Sequence, residues 1–246
     1  MGMVLLYGMA QVDRDWHVKE TSAAGCCRLY WVQGGTVWYE DPEQQTLLQH
    51  GRLYLFPSTV PYELTQDPDD PLRCLFLHLN VSPGLVGKMT ELEVREGSFL
   101  HRQLQALEQC VPQNEKELCC AVGEVLETLF RRMGLIVDPD PALSEVLCYM
   151  ADHLQEPLTL EELSARAGYH PQYFVRYFKK RMGITPYRYL LDCRMQEAQR
   201  LLLEGAPVTA AAAGAGYREL KTFEQTFRSR FGTSPGLWRS SFRAEP

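Results

Sequence analysis

Two stretches of the sequence combine cationic and amide side chains with a repeated aromatic pair. They read YFVRYFKKRMGITP at residues 173–186 and TFEQTFRSRFGTSP at residues 222–235. One offset of 49 residues aligns five identical positions: Phe174 with Phe223, Phe178 with Phe227, Arg181 with Arg230, Gly183 with Gly232 and Pro186 with Pro235. Five identities at a single offset indicate an internal duplication. Because arginine and lysine donate to guanine and phosphate, and glutamine pairs with adenine, both copies carry side chains that suit contact with DNA.

Each stretch lies in the longer of two predicted helices that a Gly-Tyr turn connects. The predicted helices span residues 160–167 and 170–182 in the first copy, and 208–215 and 219–231 in the second. A short helix, a tight turn with glycine and a second helix laid across the first form a helix-turn-helix. A further predicted helix over residues 187–203 would be about 25 Å long. With its flanking turns, it would place the two longer helices near the ~34 Å repeat of successive major-groove faces.

The four-residue spacing of the phenylalanines turns them inward and leaves a polar face on the other side of each longer helix. Solvated helices often show such a face, but its duplication favours a binding role. The residues predicted to contact DNA are Gln172, Arg176, Lys179 and Lys180 in the first copy, and Leu220, Lys221, Gln225 and Arg228 in the second.

Charge is distributed unevenly along the 246 residues, whose formal net charge is −6. Residues 1–141 carry −9 and residues 142–246 carry +3, and the segment 166–243 alone carries +9. An acidic half beside a basic half predicts that only the second half faces a polyanion.

The N-terminal half has the pattern of an all-β unit followed by helices. Short β-branched and aromatic runs fill residues 26–80 between turn residues, which predicts a small barrel or sandwich. Helices are predicted over residues 98–110 and 116–133. The second has an apolar stripe of Leu118, Val122, Val125, Leu126, Leu129 and Met133. This stripe fits docking on the barrel and pairing with a partner subunit equally well. Residues 134–141, which include Asp-Pro-Asp-Pro, predict a stiff linker.

Several classes of protein are disfavoured. The eight cysteines show no metal-ligand spacing, so we expect free, buried thiols and neither a metal nor another cofactor. The first residues lack the charged start and cleavage site of a signal peptide, and no apolar run is long enough to cross a membrane. A cytoplasmic protein without catalytic residues is the expectation.

Residues 143–243 resemble the AraC/XylS family of bacterial transcription regulators, whose DNA-binding unit is two helix-turn-helix motifs joined by a long helix. The resemblance is carried by LTLEELS at 158–164, Gly168-Tyr169, Phe178-Lys179-Lys180, Gly183, Pro186-Tyr187, Arg194, Gly216-Tyr217, Phe227-Arg228, Gly232 and Pro235. It implies base contacts by Gln172, Arg176, Lys221 and Gln225, with Leu220 beside them. Lys179, Lys180 and Arg228 suit phosphates. The sequence departs from the family at residues 209–215, TAAAAGA, which predicts a second motif that buries less surface.

The stretch 50–80 more weakly resembles the cupin-like barrel with which many family members sense a small molecule, often a sugar. Tyr62 stands where these members frequently have histidine. Alternation puts Arg28 and Tyr30 on one face, and Phe76 and His78 share another. We therefore predict effector binding by Arg28, Tyr30, Tyr62 and His78. The apolar strand with Leu75, Leu77 and Leu79 also leaves an apolar or aromatic effector open.

These patterns and resemblances together predict an α+β fold with two domains. A cupin-like β-barrel with helices covers residues 1–137, and an all-α tandem helix-turn-helix domain covers residues 142–246. The predicted function is sequence-specific transcription regulation controlled by a small-molecule effector, for which a sugar is one candidate. Promoter DNA, RNA polymerase and a second copy of the chain are the predicted partners. Two alternatives stay open: a dimeric regulator without an effector, and a cupin enzyme with a helical appendage.

Overall fold

The N-terminal half consists of two antiparallel sheets packed face to face. The computed structural model describes residues 3–20 and 26–241. Its strands are β1 (Met3–Gln11), β2 (Val18–Glu20), β3 (Cys26–Gly34), β4 (Val37–Glu40), β5 (Gln45–Leu47), β6 (Arg52–Leu55), β7 (Tyr62–Gln66), β8 (Arg73–Asn80) and β9 (Thr90–Glu93). One sheet has the order β1-β8-β3-β6-β9, and the other has the order β2-β7-β4-β5. We call these two sheets the β-unit.

Alternation along β3 and β8 divides their side chains between two cores. Tyr30 faces the inside of the β-unit, where it packs with Tyr39, Tyr54, Phe56 and Tyr62. The intervening residues of β3 and β8 face outward and pack beneath two helices, α1 (Phe99–Cys110) and α2 (Lys116–Arg132). Leu75, Leu77 and Leu79 belong to this outer core. These three side chains therefore do not line the inside of the β-unit. The prediction that an apolar effector is possible was based on them, and that basis was wrong.

Helix α2 docks on the outer face of the β-unit through one side of the predicted stripe, Val122, Leu126 and Leu129, and through residues that the sequence pattern did not include. Its buried residues are Cys119, Gly123, Leu126, Glu127 and Phe130, so Leu126 is the one buried member of the predicted stripe. A Cβ on Gly123 would lie 2.3 Å from Val4 Cγ2, so glycine permits this close approach. Leu118, Val125 and Met133 keep 52%, 38% and 48% of their surface exposed. The helix thus uses one face for docking and retains a second apolar stripe.

The C-terminal half is helical. It contains α3 (Pro141–Asp152), α4 (Leu160–Arg166), α5 (Pro171–Met182), α6 (Pro186–Leu203), α7 (Val208–Gly214), α8 (Leu220–Phe231) and α9 (Pro235–Ser241). Phe174 and Phe178 lie in one core with residues of α3, and Phe223 and Phe227 lie in a second core with Trp238. Helix α6 contributes Tyr189 to the first core and Met195 to the second, among others. Two helix-turn-helix units joined by a long helix are therefore present, and the predicted α+β fold class is confirmed.

The alanine-rich helix α7 packs closely against α6. Ala211 and Ala212 are buried. A Cβ on Gly214 would lie 2.5 Å from Leu201 Cδ1, so the glycine lets the two helices approach. The small residues at 209–215 therefore accommodate α6, while they bury little side-chain surface of their own.

The segment between the halves is held at both of its ends. Val137 pairs with Leu85 of the β-unit through backbone hydrogen bonds of 3.0 Å and 2.9 Å. Asp140 caps α3 by accepting from the backbone N–H of Leu143, and it also accepts from the Tyr177 hydroxyl. The linker thus contacts both halves, and the predicted domain limits at residues 137 and 142 stay a prediction.

Candidate nucleic-acid interface and effector site

Helix α5 has an apolar face fixed in the core and a polar face in solvent. Pro171 lies in the first turn, where its missing N–H costs nothing, and Gly183 ends the helix with a φ of 74° that favours glycine. Phe174 and Phe178 are fully buried, and their ring centroids lie 5.7 Å apart. Burial of these two rings determines which side of α5 faces outward.

Helix α8 repeats this arrangement. Phe223 and Phe227 are buried with the same 5.7 Å centroid distance, and Gly232 ends the helix with a φ of 73°. The outward face is less cationic than that of α5 because Glu224 is also exposed there. Arg218 is exposed just before α8 and was not among the predicted residues, because it precedes the helix predicted over residues 219–231.

All eight residues predicted to contact DNA are exposed: Gln172, Arg176, Lys179 and Lys180 on α5, and Leu220, Lys221, Gln225 and Arg228 on α8. Within residues 3–20 and 26–241, none of their side chains forms a hydrogen bond or an ion pair. Other arginines of the helical half are engaged; Arg194, for example, donates to the Leu154 and Glu156 carbonyls. The structure thus separates arginines that hold the fold from cations that are available to a partner.

The four predicted effector residues lie around one point on the inner face of the β-unit. The register of β3 and β8 places Arg28 opposite His78 and Tyr30 opposite Phe76. The Tyr30 and His78 rings stack with centroids 6.4 Å apart. Tyr62 reaches the same region from β7, where it is paired with Glu20 of β2. Sequence alternation predicted the two pairs, and the strand register brings them together.

Two adjoining cavities share Leu6, Arg28 and His78. One has a volume of about 210 Å³, lies inside the β-unit and has mostly apolar walls that include Trp16, Leu72 and Phe76. The other has a volume of about 150 Å³ and lies between the β-unit and the helical half, beside Glu20 and Arg230. Arg28 therefore stands where an apolar chamber meets a charged cleft.

Burial determines the protonation of this site. Desolvation and the neighbouring Arg28 charge lower the pKa of His78 well below its ordinary value, so the ring is neutral near pH 7. Desolvation raises the pKa values of Tyr30 and Tyr62, so both phenols keep their protons. Arg28 is the cation of the chamber. One of its nitrogens, Nη1, is buried and has no hydrogen-bond partner among the described residues.

Glu20 and Arg230 both line the cleft, and neither is among the site residues predicted from the sequence. Arg28 donates to Glu20 at 2.8 Å, and Arg230 donates to Glu20 at 2.6 Å. Arg230 was visible only as a member of the duplicated pair with Arg181. No sequence signal marked Glu20, because its partner Arg230 lies 210 residues further along the chain.

Residues 163–241 match a family of helix-turn-helix domains. Among curated proteins, the chain is 33% identical over 100 residues to the uncharacterized HTH-type transcriptional regulator YobQ of Bacillus subtilis, covering 40% of the chain and 42% of YobQ. It is 32% identical over 128 residues to the probable transcriptional regulator LumQ of Photobacterium leiognathi, covering 50% and 52%. The chain thus spans about half the length of these two relatives. It is also 32% identical over 98 residues to the multiple antibiotic resistance protein MarA of Escherichia coli, covering 39% of the chain and 77% of MarA.

A solved structure of ToxT from Vibrio cholerae has the same fold over nearly the whole chain. The TM-score is 0.71 at 11% identity, covering 96% of this chain and 98% of ToxT. At such low identity, the match concerns the fold alone.

None of the helices in the described part of the chain is long and apolar enough to span a membrane. Among the same residues, no group of three or more histidine, cysteine, aspartate or glutamate side chains is placed to hold a metal ion.

Two helix-turn-helix units with buried Phe-x-x-x-Phe frames and polar outward faces agree with the match to MarA over most of its length. The chain belongs to the AraC/XylS family of transcription regulators.

Proposed function

We propose that the protein is a sequence-specific DNA-binding transcription regulator whose two motifs contact adjacent major grooves through α5 and α8. The observation that carries this proposal is the set of eight exposed outward residues whose side chains form no hydrogen bond or ion pair with any residue that the structure describes. The relatives YobQ, LumQ and MarA support it, since the first two are described as transcriptional regulators. Helix α6 has 18 residues and is therefore about 27 Å long, which suits two neighbouring grooves on one side of the duplex.

Within this interface we assign base contacts to Gln172, Arg176, Lys221 and Gln225. Arginine can donate two hydrogen bonds to guanine, and glutamine can pair with adenine in the same way. Lys179, Lys180 and Arg228 lie further along the helices, where they suit phosphates. Leu220, with 39% of its surface exposed, can contact a thymine methyl group.

The DNA proposal is tested by selecting bound sequences from random DNA with the intact protein and then comparing two variants. Arg176→Ala should cost about 1–3 kcal/mol at one base position and relax the preference there. Lys180→Ala should instead weaken binding to all sequences alike and reduce the dependence of log K on log salt by about one unit. Unchanged base preference in Arg176→Ala would contradict its assignment.

We further propose that the β-unit binds a small-molecule effector at Arg28, Tyr30, Tyr62 and His78. A sugar would find few hydrogen-bond partners on the apolar walls of the inner cavity, whereas a molecule with an apolar body and an acidic group would match both the walls and Arg28. Solved ToxT structures include complexes with an unsaturated fatty acid and with a naphthyl butenoic acid. These complexes support an acidic effector for this chain as well.

Thermal shift measurements test the effector proposal. A monounsaturated fatty acid at about 100 times its Kd should stabilise the protein by about 2.7 kcal/mol, whereas monosaccharides should not. The matching fatty alcohol isolates the contribution of the acid group and should give a smaller shift. Arg28→Gln should reduce the shift, and Arg95→Gln, which neutralises an exposed arginine of the N-terminal half, should not. Equal shifts for acid and alcohol would rule out the role of Arg28.

We also propose a homodimer, RNA polymerase as a partner on promoter DNA, and domains at residues 1–137 and 142–246. The exposed stripe of Leu118, Val125 and Met133 on α2 supports the dimer. Separate apolar cores in the two halves support the domain limits.

A further inference from the structure

Five charged side chains alternate in sign where the β-unit meets the second motif. Glu20 accepts from Arg28 Nη2 at 2.8 Å and from Arg230 Nη2 at 2.6 Å. Arg230 Nε lies 3.5 Å from Asp192 Oδ1, and Arg188 Nε lies 3.3 Å from Asp192 Oδ2. Glu20 on β2 is therefore the link between β3 of the β-unit and α8, the helix with the second outward face.

The Glu20–Arg230 pair is much less exposed than another pair that joins the two halves. The side chains of Glu20 and Arg230 are 11% and 18% exposed, whereas those of Lys116 and Glu204 are 52% and 33% exposed. Solvent weakens exposed ion pairs, so they contribute little. Loss of one partner from a buried pair leaves a desolvated charge uncompensated. Of these two ion pairs between the halves, the Glu20–Arg230 contact is thus the less screened, and it is the one that involves α8.

The duplication shows that this contact is specific to the second motif. Arg181 occupies the position in α5 that Arg230 occupies in α8, 49 residues later. Arg181 lies 3.4 Å from Asp140 of the linker, and it is 56% exposed. Equivalent arginines therefore anchor the two motifs differently, and among the described residues the second arginine alone is tied to the β-unit through a buried carboxylate.

Within the second motif, helix α7 offers α8 few side-chain contacts. Helix α7, which should position α8, is VTAAAAG, and its buried residues are alanines. Alanine side chains make few contacts, so they restrain a neighbouring helix less than large aliphatic side chains do. A contact from outside the motif therefore adds to the restraint that the buried rings of Phe223 and Phe227 give α8.

The Glu20 carboxylate is shared by two arginines of the cluster, Arg28 and Arg230. Three guanidinium groups, of Arg28, Arg188 and Arg230, surround the two carboxylates of Glu20 and Asp192. Arg28 Nη1 is buried without a partner among the described residues. Arg28 and Arg230 both line the adjoining cavity. An acidic group that enters it would compete with Glu20 for both guanidinium groups and so weaken the Glu20–Arg230 contact.

We propose that Glu20 and Arg230 form a latch through which the β-unit holds α8 and limits the use of the second motif on DNA. The latch rests on the proposed function: an acidic effector at Arg28 opens it, and α8 then contributes fully to binding. The first motif, with the exposed Arg181–Asp140 pair, binds in both states.

The test uses the full-length chain without effector. Glu20→Gln, Arg230→Gln and the double variant are compared with wild type on a DNA site selected by the intact protein, and on the same site with the element contacted by α8 scrambled. Glu63→Gln is the matched control, since it neutralises a partly exposed carboxylate whose ion pairs in the described part of the chain are with His17 and Lys19. Hydrogen exchange of the α8 amides in the DNA-free protein gives a second readout.

The latch predicts roughly fivefold or greater tightening on the intact site for both single variants, with no further gain in the double variant. It predicts no tightening on the scrambled site, a negligible effect of Glu63→Gln, and faster exchange in α8. Weaker or unchanged binding, or equal tightening on both sites, would overturn it. Unchanged α8 exchange in Glu20→Gln would overturn it independently of DNA. Failure of the proposed function is distinguishable, because wild type itself would then select no sequence.

Discussion

Arg176 and Arg230 lie on the outward-facing helices of the two motifs, and their surroundings are opposite. Arg176 is exposed and has no partner in the described part of the chain. Arg230 is 18% exposed and is held by Glu20 and Asp192. A guanidinium in solvent can exchange water for a base edge, whereas a paired and buried one would first have to lose its carboxylates. Sequence spacing predicts which face each residue lies on, but it does not show which arginines are already paired.

The buried ring of His78 should make the free energy of unfolding depend on pH. The unfolded chain protonates this ring near pH 6.5, but burial and Arg28 keep the folded ring neutral to well below that pH. The unfolded state therefore binds more protons, and the free energy of unfolding falls as the pH falls below 6.5, by up to about 1.4 kcal/mol per pH unit. Urea denaturation between pH 5.5 and 8 should show a shallower slope for His78→Phe than for wild type below pH 6.5. Parallel curves would contradict the neutral buried state.

At the level of helices and strands, amphipathic periodicity was a reliable guide for α5 and α8 and an incomplete one for α2. The paired phenylalanines of α5 and α8 are large, and their burial leaves one possible orientation for each helix. In α2 the largest apolar stripe stays partly exposed, and the buried face contains Cys119 and Gly123. Small residues allow the helix to approach the sheet closely, and hydropathy alone gives them little weight.

The exposed stripe of α2 predicts a dimer that one substitution disrupts. Val125→Asp should shift the protein toward monomer in analytical ultracentrifugation, because a charge would have to be desolvated in the interface. Its folded stability should change by less than about 0.5 kcal/mol, since surface substitutions have small effects. Gln113→Asp, which adds the same charge at an exposed position before α2, is the control and should leave the dimer intact. A wild-type monomer at micromolar concentration would refute the assignment.

At the scale of the whole molecule, two pairs of cores meet at a charged interface. The inner and outer cores of the β-unit and the two cores of the helical half each draw on their own segment, with Leu85 as a partly buried residue that packs on the first helical core. Such separate cores suit two folding units. The contacts between them include ion pairs that depend on individual carboxylates, which makes the relative orientation of the halves adjustable.

The domain proposal predicts that the helical half folds alone. Fragments 138–246 and 142–246 should both show cooperative helical unfolding by circular dichroism. The longer fragment retains Asp140, which caps α3 and accepts from Tyr177. Loss of that cap should make the shorter fragment less stable by about 0.5–2 kcal/mol. Two unfolded fragments would show that the β-unit is required and that the boundary is misplaced.

Four features could be predicted from sequence patterns: the two helix-turn-helix units, their linking helix, their outward residues and the β-rich character of the first half. These features depend on periodicity, turn residues and an internal repeat, which are properties of neighbours along the chain. Three contacts are visible in the tertiary structure and not in the sequence pattern: Arg28 lies opposite His78, α2 docks through Cys119 and Gly123, and Glu20 accepts a hydrogen bond from Arg230. Such contacts join residues up to 210 positions apart. They arise from strand register and from the packing of one half on the other, which no local pattern encodes.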